Sequence, residues 1–313
     1  MTSAPRRSAL RWCGAGEVAF LGSFGSGGGE VPPESASSVE VEPRRVSSGE
    51  RIDASLRTGA GEEAAAAAEA FLEAGGGACV VAHGAWAWGL GSTKGTSPPE
   101  MARAALAALA DRDDAGMIVL LGDAAGQARD LALETAARRD DIYILIEGRG
   151  GDAPSLVPAR ENAATMRFPP GYGDAPRDIG VLAASLRAGD FSEELPFLVR
   201  SARRGAAADP VPGISKRDRE AIRLWRRREG LRRSIDRGTR WALLEANRPF
   251  LRRRIEREVT AFLRRMEDLG LLDRSVGFSV ECSRAGGAAE SGRIELDVKA
   301  RLAPLEARRP VKV

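Results

Sequence analysis

The chain is short of the residues that most often carry chemistry. Among its 313 residues there is one histidine, His83, and three cysteines, Cys13, Cys79 and Cys282, far apart in sequence. With no CxxC pair and no second histidine, neither a disulfide framework nor a zinc site is supported, and a reducing compartment fits best. No run of about eighteen apolar residues occurs, so no membrane partner is expected. The first fifteen residues hold arginines but no apolar core of the signal-peptide kind, and the expectation is a protein made and kept in the cytoplasm unless it leaves as part of a particle. Charge of neither sign dominates: 47 basic residues face 44 acidic ones, a net of +3. A balance so small does not point to nucleic acid by itself.

What is present is enough apolar residue, 43%, to bury a substantial core as one large domain or two modest ones. Residues 22–61 are rich in Gly, Ser, Pro and Glu, and residues 1–60 read as an arm or linker in which VAFLGSF (18–24) is the sole apolar run. Residues 61–205 alternate helix-like and strand-like units. An alanine-rich helix over 62–74 is stopped by Gly75 to Gly77, and a buried strand follows at 78–83. Ser97, three residues before Glu100, predicts a capped helix to about Asp111. MIVLLG (117–122) predicts a second strand, Asp123 a cap for one helix over 124–138, DIYILIEG (141–148) a third strand and ATMRF (164–168) a fourth. Near-continuous apolar strands alternating with helices indicate a parallel sheet covered on both faces, an α/β fold. Helices are expected over 177–188 and 191–201, then a linker at 203–213.

A second, smaller domain of α+β class is expected over 214–313. It begins with a charged helix over 215–229. Asn247 then reads as the cap of a helix with Pro249 in its first turn and Gly270 at its end. Along it Leu251, Ile255, Val259, Phe262, Met266 and Leu269 form one stripe, with Arg253, Arg257 and Arg264 opposite. GFSVECS (277–283) and GRIELDVKARL (292–302) alternate as strands with one wet face.

Catalytic constellations are sought and not found. His83 ends the first strand of the unit, where open α/β sheets place ligands, but no GxSxG elbow or activated nucleophile accompanies it. GRGGDA (148–153) imitates the dinucleotide fingerprint, yet Pro154 and a proline-containing loop follow where a helix must begin. GLGSTKGT (89–96) lacks the P-loop order. Asp113 with Asp114, and Asp140 with Asp141, read as solvated turn acids. Trp86 and Trp88 read as loop anchors or interface residues. No cofactor, metal or catalytic residue is therefore assigned.

One segment is strongly biased. Between Lys216 and Arg265 eighteen basic residues face seven acidic ones, and the plainest reading is a solvated helix face. A nucleic-acid-binding protein could use such a face on phosphates, but aromatics for stacking are not interleaved with the arginines beyond Trp225 and Trp241. An enzyme of doubly wound fold remains the third class, and lacks a credible site.

The order of elements in the second half resembles the C-terminal domain of contractile tail sheath proteins of phages and phage-tail-like injection particles. The residues that carry the resemblance are RRSIDRGTRWALLEANRPF (232–250), the helix to Leu269, GFSVEC (277–282) and GRIELDVKARLAPLEARRPVKV (292–313). In that pattern a polar helix leads through a GT-x-W approach into a strand with an asparagine cap, a long amphipathic helix ending at glycine, an F-x-V strand and a long strand with a proline. EAFLEAGGGACVVAHG (69–84), ARRDDIYILIEG (137–148) and ATMRFPPGY (164–172) are similar to parts of the sheath α/β domain, called subtilisin-like for its fold. Residues 1–16 depart from the pattern, because the strand-forming arm with a proline-glycine pair is not visible there. Outer decorating domains also find no room, which implies a near-minimal version.

The resemblance implies a structural subunit and not an enzyme. It implies helical self-assembly around an inner tube protein, with baseplate and terminator components as further partners, and shortening that drives the tube through a target envelope. Neighbouring subunits would be linked by exchanged strands, for which Lys299, Arg301, Leu302, Leu305, Val311 and Val313 are the candidates. Arg253, Arg257 and Arg264 would face the tube. Assembly in the cytoplasm, as part of a virion or injection particle, is what this implies for location.

Overall fold

The computed structural model describes residues 10, 16–22, 42–47, 52, 61–83, 98–188, 214–284 and 294–303. Two compact units divide the chain: residues 16–190 with 195–226, and residues 227–313 with 1–15 and 191–194.

The larger unit is built on a seven-stranded sheet. Its strands are β1 (Glu17–Leu21), β2 (Glu42–Val46), β3 (Cys79–His83), β4 (Ala115–Leu120), β5 (Tyr143–Arg149), β6 (Ser155–Arg160) and β7 (Ala163–Phe168). They lie in the order β2-β3-β1-β4-β5-β7-β6. The five inner strands run parallel, and β2 and β6 close the edges antiparallel. Side chains alternate across it with period two. Val18, Phe20, Cys79, Val81, Met117, Val119, Tyr143 and Leu145 point to one core. Ala19, Leu21, Val80, Ala82, Ile118, Leu120, Ile144 and Ile146 point to the other. Helices α1 (Glu62–Glu73) and α5 (Ala175–Ala188) cover the first face, and α2 (Pro98–Ala110), α3 (Gly122–Gln127) and α4 (Arg129–Arg138) cover the second. The expected α/β sandwich with a mainly parallel sheet is the fold of this unit.

Three local expectations change. The arm expected over 1–60 contains an inner strand of the sheet: β1 lies between β3 and β4, with Val18, Phe20 and Leu21 wholly buried. A five-residue strand among glycines has too few positions for periodicity to show, yet burying each such side chain contributes about 1.5–3 kcal/mol. The loop expected around Pro158 is an edge strand, tolerated because proline need not donate to a second neighbour there. The single helix expected over 124–138 breaks at Ala128, and Leu121, not Asp123, holds the cap position of α3.

The alanine-rich α1 is legible as more than a good helix former. Ala64, Ala65, Ala67 and Ala68 are fully buried, and α1 packs closely on α5. A Cβ built on Gly180 of α5 would fall well inside contact with the Ala67 carbonyl oxygen. Small residues on both helices let their backbones approach. At the far end of the sheet, buried Asn162 donates from its amide to the carbonyls of Ala136, Arg139 and Ile142 at 2.8, 3.1 and 3.1 Å. It thereby ties the end of α4 to the start of β5.

The smaller unit takes up α6 (Lys216–Thr239) from Arg227 onward; the boundary between the units falls inside this helix. A 3-10 helix (Arg240–Leu244), α7 (Pro249–Asp268), β8 (Phe278–Arg284) and β9 (Ile294–Ala300) follow. WALLEAN, expected as a strand from the family pattern, is that 3-10 turn and its exit. Arg248, not Asn247, is the cap residue of α7: Pro249 sits in the first turn, and the residue before a proline is driven to extended backbone. At the other end Gly270 has φ 76°, its N–H donates to Glu267 O at 3.0 Å, and Leu271 N–H donates to Met266 O at 2.9 Å. That is a Schellman ending, with Met266 and Leu271 both in the core. Leu269, expected on the apolar stripe, is 47% exposed at the cap, and Leu263 is buried instead. The helix and the antiparallel hairpin make this unit α+β, as expected. The helix expected over 191–201 and the linker at 203–213 lie outside the described residues, as does Ser97.

Gly180→Ala is expected to destabilise the chain by about 1–3 kcal/mol, because overpacking against backbone outweighs the roughly 1 kcal/mol that alanine gains in a helix. Urea unfolding measures it; an unchanged or higher midpoint would refute the close α1–α5 contact.

Candidate functional site

Helix α7 has two faces of different chemistry. Leu251, Ile255, Val259, Phe262, Leu263 and Met266 are buried, and Arg253, Arg257 and Arg264 are exposed on the opposite side. Other arginines nearby have work within the chain. Arg254 stacks over Trp241 with its guanidinium carbon 4.1 Å from the ring centroid, and pairs with Glu258 at 3.0 Å and Glu245 at 3.7 Å. Arg265 donates to the Leu10 carbonyl and lies 5.9 Å from the Phe262 ring centroid. Arg253, Arg257 and Arg264 make no ion pair or hydrogen bond among the described residues. The three positions at i, i+4 and i+11 share one side of the helix, so the structure brings them together as a line of free guanidinium groups.

The basic stretch is not uniformly a solvated face. In the middle of α6 Arg226, Arg227, Glu229 and Arg233 are buried, and Glu229 accepts from Arg228 at 3.3 Å and Arg232 at 2.7 Å. Composition could not separate these arginines from the free ones, because charge alone does not say which face a helix buries.

The hairpin is the second surface. β8 and β9 pair from Phe278 with Ala300 to Arg284 with Ile294, and no third strand joins this sheet among the described residues. Val280, Cys282, Leu296 and Val298 face the core with α7, while Ser279, Glu281, Glu295, Asp297 and Lys299 are exposed. Cys282 N–H, on the strand that packs against α7, donates to Glu256 Oε1 at 2.9 Å. That carboxylate, with burial as the larger cause, pushes the Cys282 thiol above its ordinary pKa. Beyond β9 the chain continues to pair locally: Leu272 bridges Leu302, Asp273 N–H donates to Arg301 O, and Ala303 N–H to Leu271 O, both at 2.8 Å. Lys299, Arg301 and Leu302 are therefore engaged in the chain's own sheet and its extension. Leu305, Val311 and Val313 lie outside the described residues.

The sites considered for chemistry find structural explanations. Arg112 grips Asp114 at 2.9 and 2.7 Å, and Arg139 grips Asp141 at 2.7 and 3.0 Å. The same Arg-Asp-Asp turn thus leads into β4 and β5, a repeat visible in the sequence once its role is known. Asp141 raises the Arg139 pKa through that hydrogen bond. After β5, Gly150 and Gly151 adopt positive φ and lead into β6 with no helix, so the phosphate-binding context of GRGGDA is absent. A cleft of about 560 Å³ opens beside Gln127, Arg129, Glu147 and Arg149. Its polar groups are partly spent: Glu147 accepts from Gly122 N–H at 2.8 Å and Arg129 donates to Thr165 at 3.2 Å. Among the described residues no cluster of three metal-ligating side chains occurs, and no helix is long and apolar enough to cross a membrane. His83 ends β3 in register with Glu42; Trp86, Trp88 and residues 89–96 lie outside the described residues. For nucleic acid, neither tryptophan among the arginines offers a stacking face: Trp225 is buried against Tyr143, and Trp241 lies under Arg254.

No family model matches the chain, and no curated protein matches it. Solved structures do. The chain is similar to the anti-feeding prophage helical sheath in its contracted state, at 12% identity and a TM-score of 0.57, over 100% of this chain and 96% of that one. It is also similar to a chain of the anti-feeding prophage baseplate, at 11% identity and a TM-score of 0.55, over 100% of this chain and 99% of that one. At these identities the likeness is one of fold alone, shared with these two chains over nearly the whole length of each.

Because burial and Glu256 both disfavour its thiolate, Cys282 is expected to resist brief iodoacetamide treatment near pH ~8 in the folded chain and to react once urea unfolds it. Peptide mapping by mass spectrometry checks this; rapid labelling of Cys282 in the folded chain would contradict its place beneath α7.

Proposed function

We propose that this chain is a structural subunit of a contractile sheath, polymerising around an inner tube and shortening to drive that tube through a target envelope. The observation that carries the reading is the likeness of fold over the full length of a helical sheath subunit. The proposed role is mechanical.

Two surfaces support the reading. A two-stranded sheet is marginal by itself and presents unpaired backbone groups at its edges. In the proposed sheath a strand from another subunit adds to that edge, its register set by alternate side chains. With Lys299, Arg301 and Leu302 held locally, the exchanged strand is assigned to residues 304–313, with Leu305, Val311 and Val313 as its apolar positions. The second surface is the line of Arg253, Arg257 and Arg264, assigned to acidic residues of the tube. Exposed pairs of this kind contribute about 0–1 kcal/mol each, so a repeated set holds an extended lattice and still separates on contraction. Baseplate and terminator components are proposed to contact the ends of the same polymer, and assembly is proposed to occur in the cytoplasm.

Reversing Arg253, Arg257 and Arg264 to glutamate is expected to abolish co-sedimentation with the cognate tube protein. The unfolding free energy should stay within about 0.5 kcal/mol of the parent, since all three side chains are exposed. Undiminished co-sedimentation would reject the tube contact. Ending the chain after Ala303 is expected to leave a folded monomer that no longer forms tubes or ring stacks in negative-stain microscopy; assembly as before would reject the exchanged strand.

A further inference from the structure

Three of the large apolar side chains with the greatest exposure stand within eight residues of one another. Leu243 is 83% exposed, Leu244 is 93% and Phe250 is 71%. They occupy the end of the 3-10 helix and the first turn of α7. Leaving three such side chains in water is unfavourable relative to burial, and exposed large apolar side chains gathered in one short segment mark a candidate interaction site.

The cluster is held, not loose. Trp241, in the same 3-10 turn, lies under the Arg254 guanidinium, and Arg254 also reaches Glu245, just past the turn. Glu245 N–H donates to Ala242 O at 3.1 Å and closes the turn. A side chain of α7 thus holds the turn that carries Leu243 and Leu244 at both ends. Phe250 belongs to the arginine line itself: from it Arg253, Arg257 and Arg264 follow at i+3, i+7 and i+14, which on a helix of 3.6 residues per turn is one stripe. The exposed face of α7 therefore begins with an aromatic and continues with three free guanidinium groups.

We propose that Leu243, Leu244 and Phe250 are the apolar anchor of the tube-facing surface, seated in an apolar recess of the tube that is rimmed by carboxylates. This rests on the reading of the chain as a sheath subunit. Charge selects the occupant. The outward side of α7 carries Arg253, Arg257 and Arg264, exposed and with no ion pair among the described residues, so two copies meeting through this face would repel and an acidic partner would be drawn to it. The chemistry is that of interface hot spots, in which buried aromatic and aliphatic side chains carry the affinity and the charged rim steers and orients. An anionic lipid surface has a similar chemistry. The clamped turn with Glu245 at its edge suits a shaped protein recess better than the continuous apolar face of a membrane-lying helix.

The test is binding of the purified chain to assembled cognate tube at about 0.1 M and about 0.5 M NaCl, where screening differs about twofold in length. A variant carrying Leu243→Ser, Leu244→Ser and Phe250→Ser, checked for an unchanged melt, is expected to bind at least tenfold more weakly than the parent at both salts. The Arg253→Gln, Arg257→Gln, Arg264→Gln variant should differ from the parent mainly at the lower salt. Serine-variant affinity within twofold of the parent overturns the anchor and leaves the sheath reading standing. Failure of the parent to bind tube at either salt overturns the tube contact and the anchor with it. Loss confined to self-assembly, or serine-sensitive binding of the parent to anionic vesicles with tube binding intact, overturns the assignment of the occupant.

Discussion

The strand Glu17–Leu21 sits between Cys79–His83 and Ala115–Leu120, and both of its faces are buried. Every layer of the larger unit depends on that position. Val18 and Phe20 support the core beneath α1 and α5, with Phe20 against Phe71 at 5.5 Å between ring centroids. Ala19 and Leu21 support the core beneath α2, α3 and α4. A strand taken out of the middle of a parallel sheet would leave β3 and β4 without a ladder on one side and open both cores at once. The chain thus stakes its main domain on five residues that precede a long polar stretch. For the proposed sheath subunit this matters mechanically, since a body that transmits force has to keep one packing while its neighbours move.

The smaller unit follows a different logic. Its core is essentially one helix face against one hairpin, ended by the Schellman turn at Gly270 and by local pairing of Leu302 with Leu272. So small an assembly leaves much outward surface, and the outward surface is where α7 carries its free arginines and where the sheet lacks a third strand among the described residues. The contrast between Arg254, spent on Trp241 and two glutamates, and Arg253 beside it, free, shows how one helical position separates a structural arginine from an available one. In the proposed sheath both the free charges and the open edge belong to the polymer, and the lone subunit displays them incomplete.

Much of this was legible from residues alone. Apolar runs at β3, β4, β5 and β7, the glycine stops and the three- and four-residue spacing along α7 each express a local rule, so they predict their elements and the α/β class directly. The stripe of Arg253, Arg257 and Arg264 follows from the same spacing. Where local rules compete, the fold departs from them: Pro249 shifts the cap from Asn247 to Arg248, Pro158 sits on an edge strand and not in a loop, and WALLEAN closes into a 3-10 turn. Phe250 lies on the same stripe as the arginines, but nothing in the local sequence separates a surface aromatic in a first helical turn from a core one.

What the amino-acid order determined by itself was most of the elements and their faces, because periodicity and capping act over a few residues. Which arginines are buried in α6, which one clamps Trp241, that five residues near the start form an inner strand of the sheet, and that Lys299 pairs with Ser279 within its own hairpin were decided only in three dimensions. Those outcomes depend on partners tens to hundreds of residues away. Burial and pairing across such distances are properties of the packed chain, and no local pattern carries them.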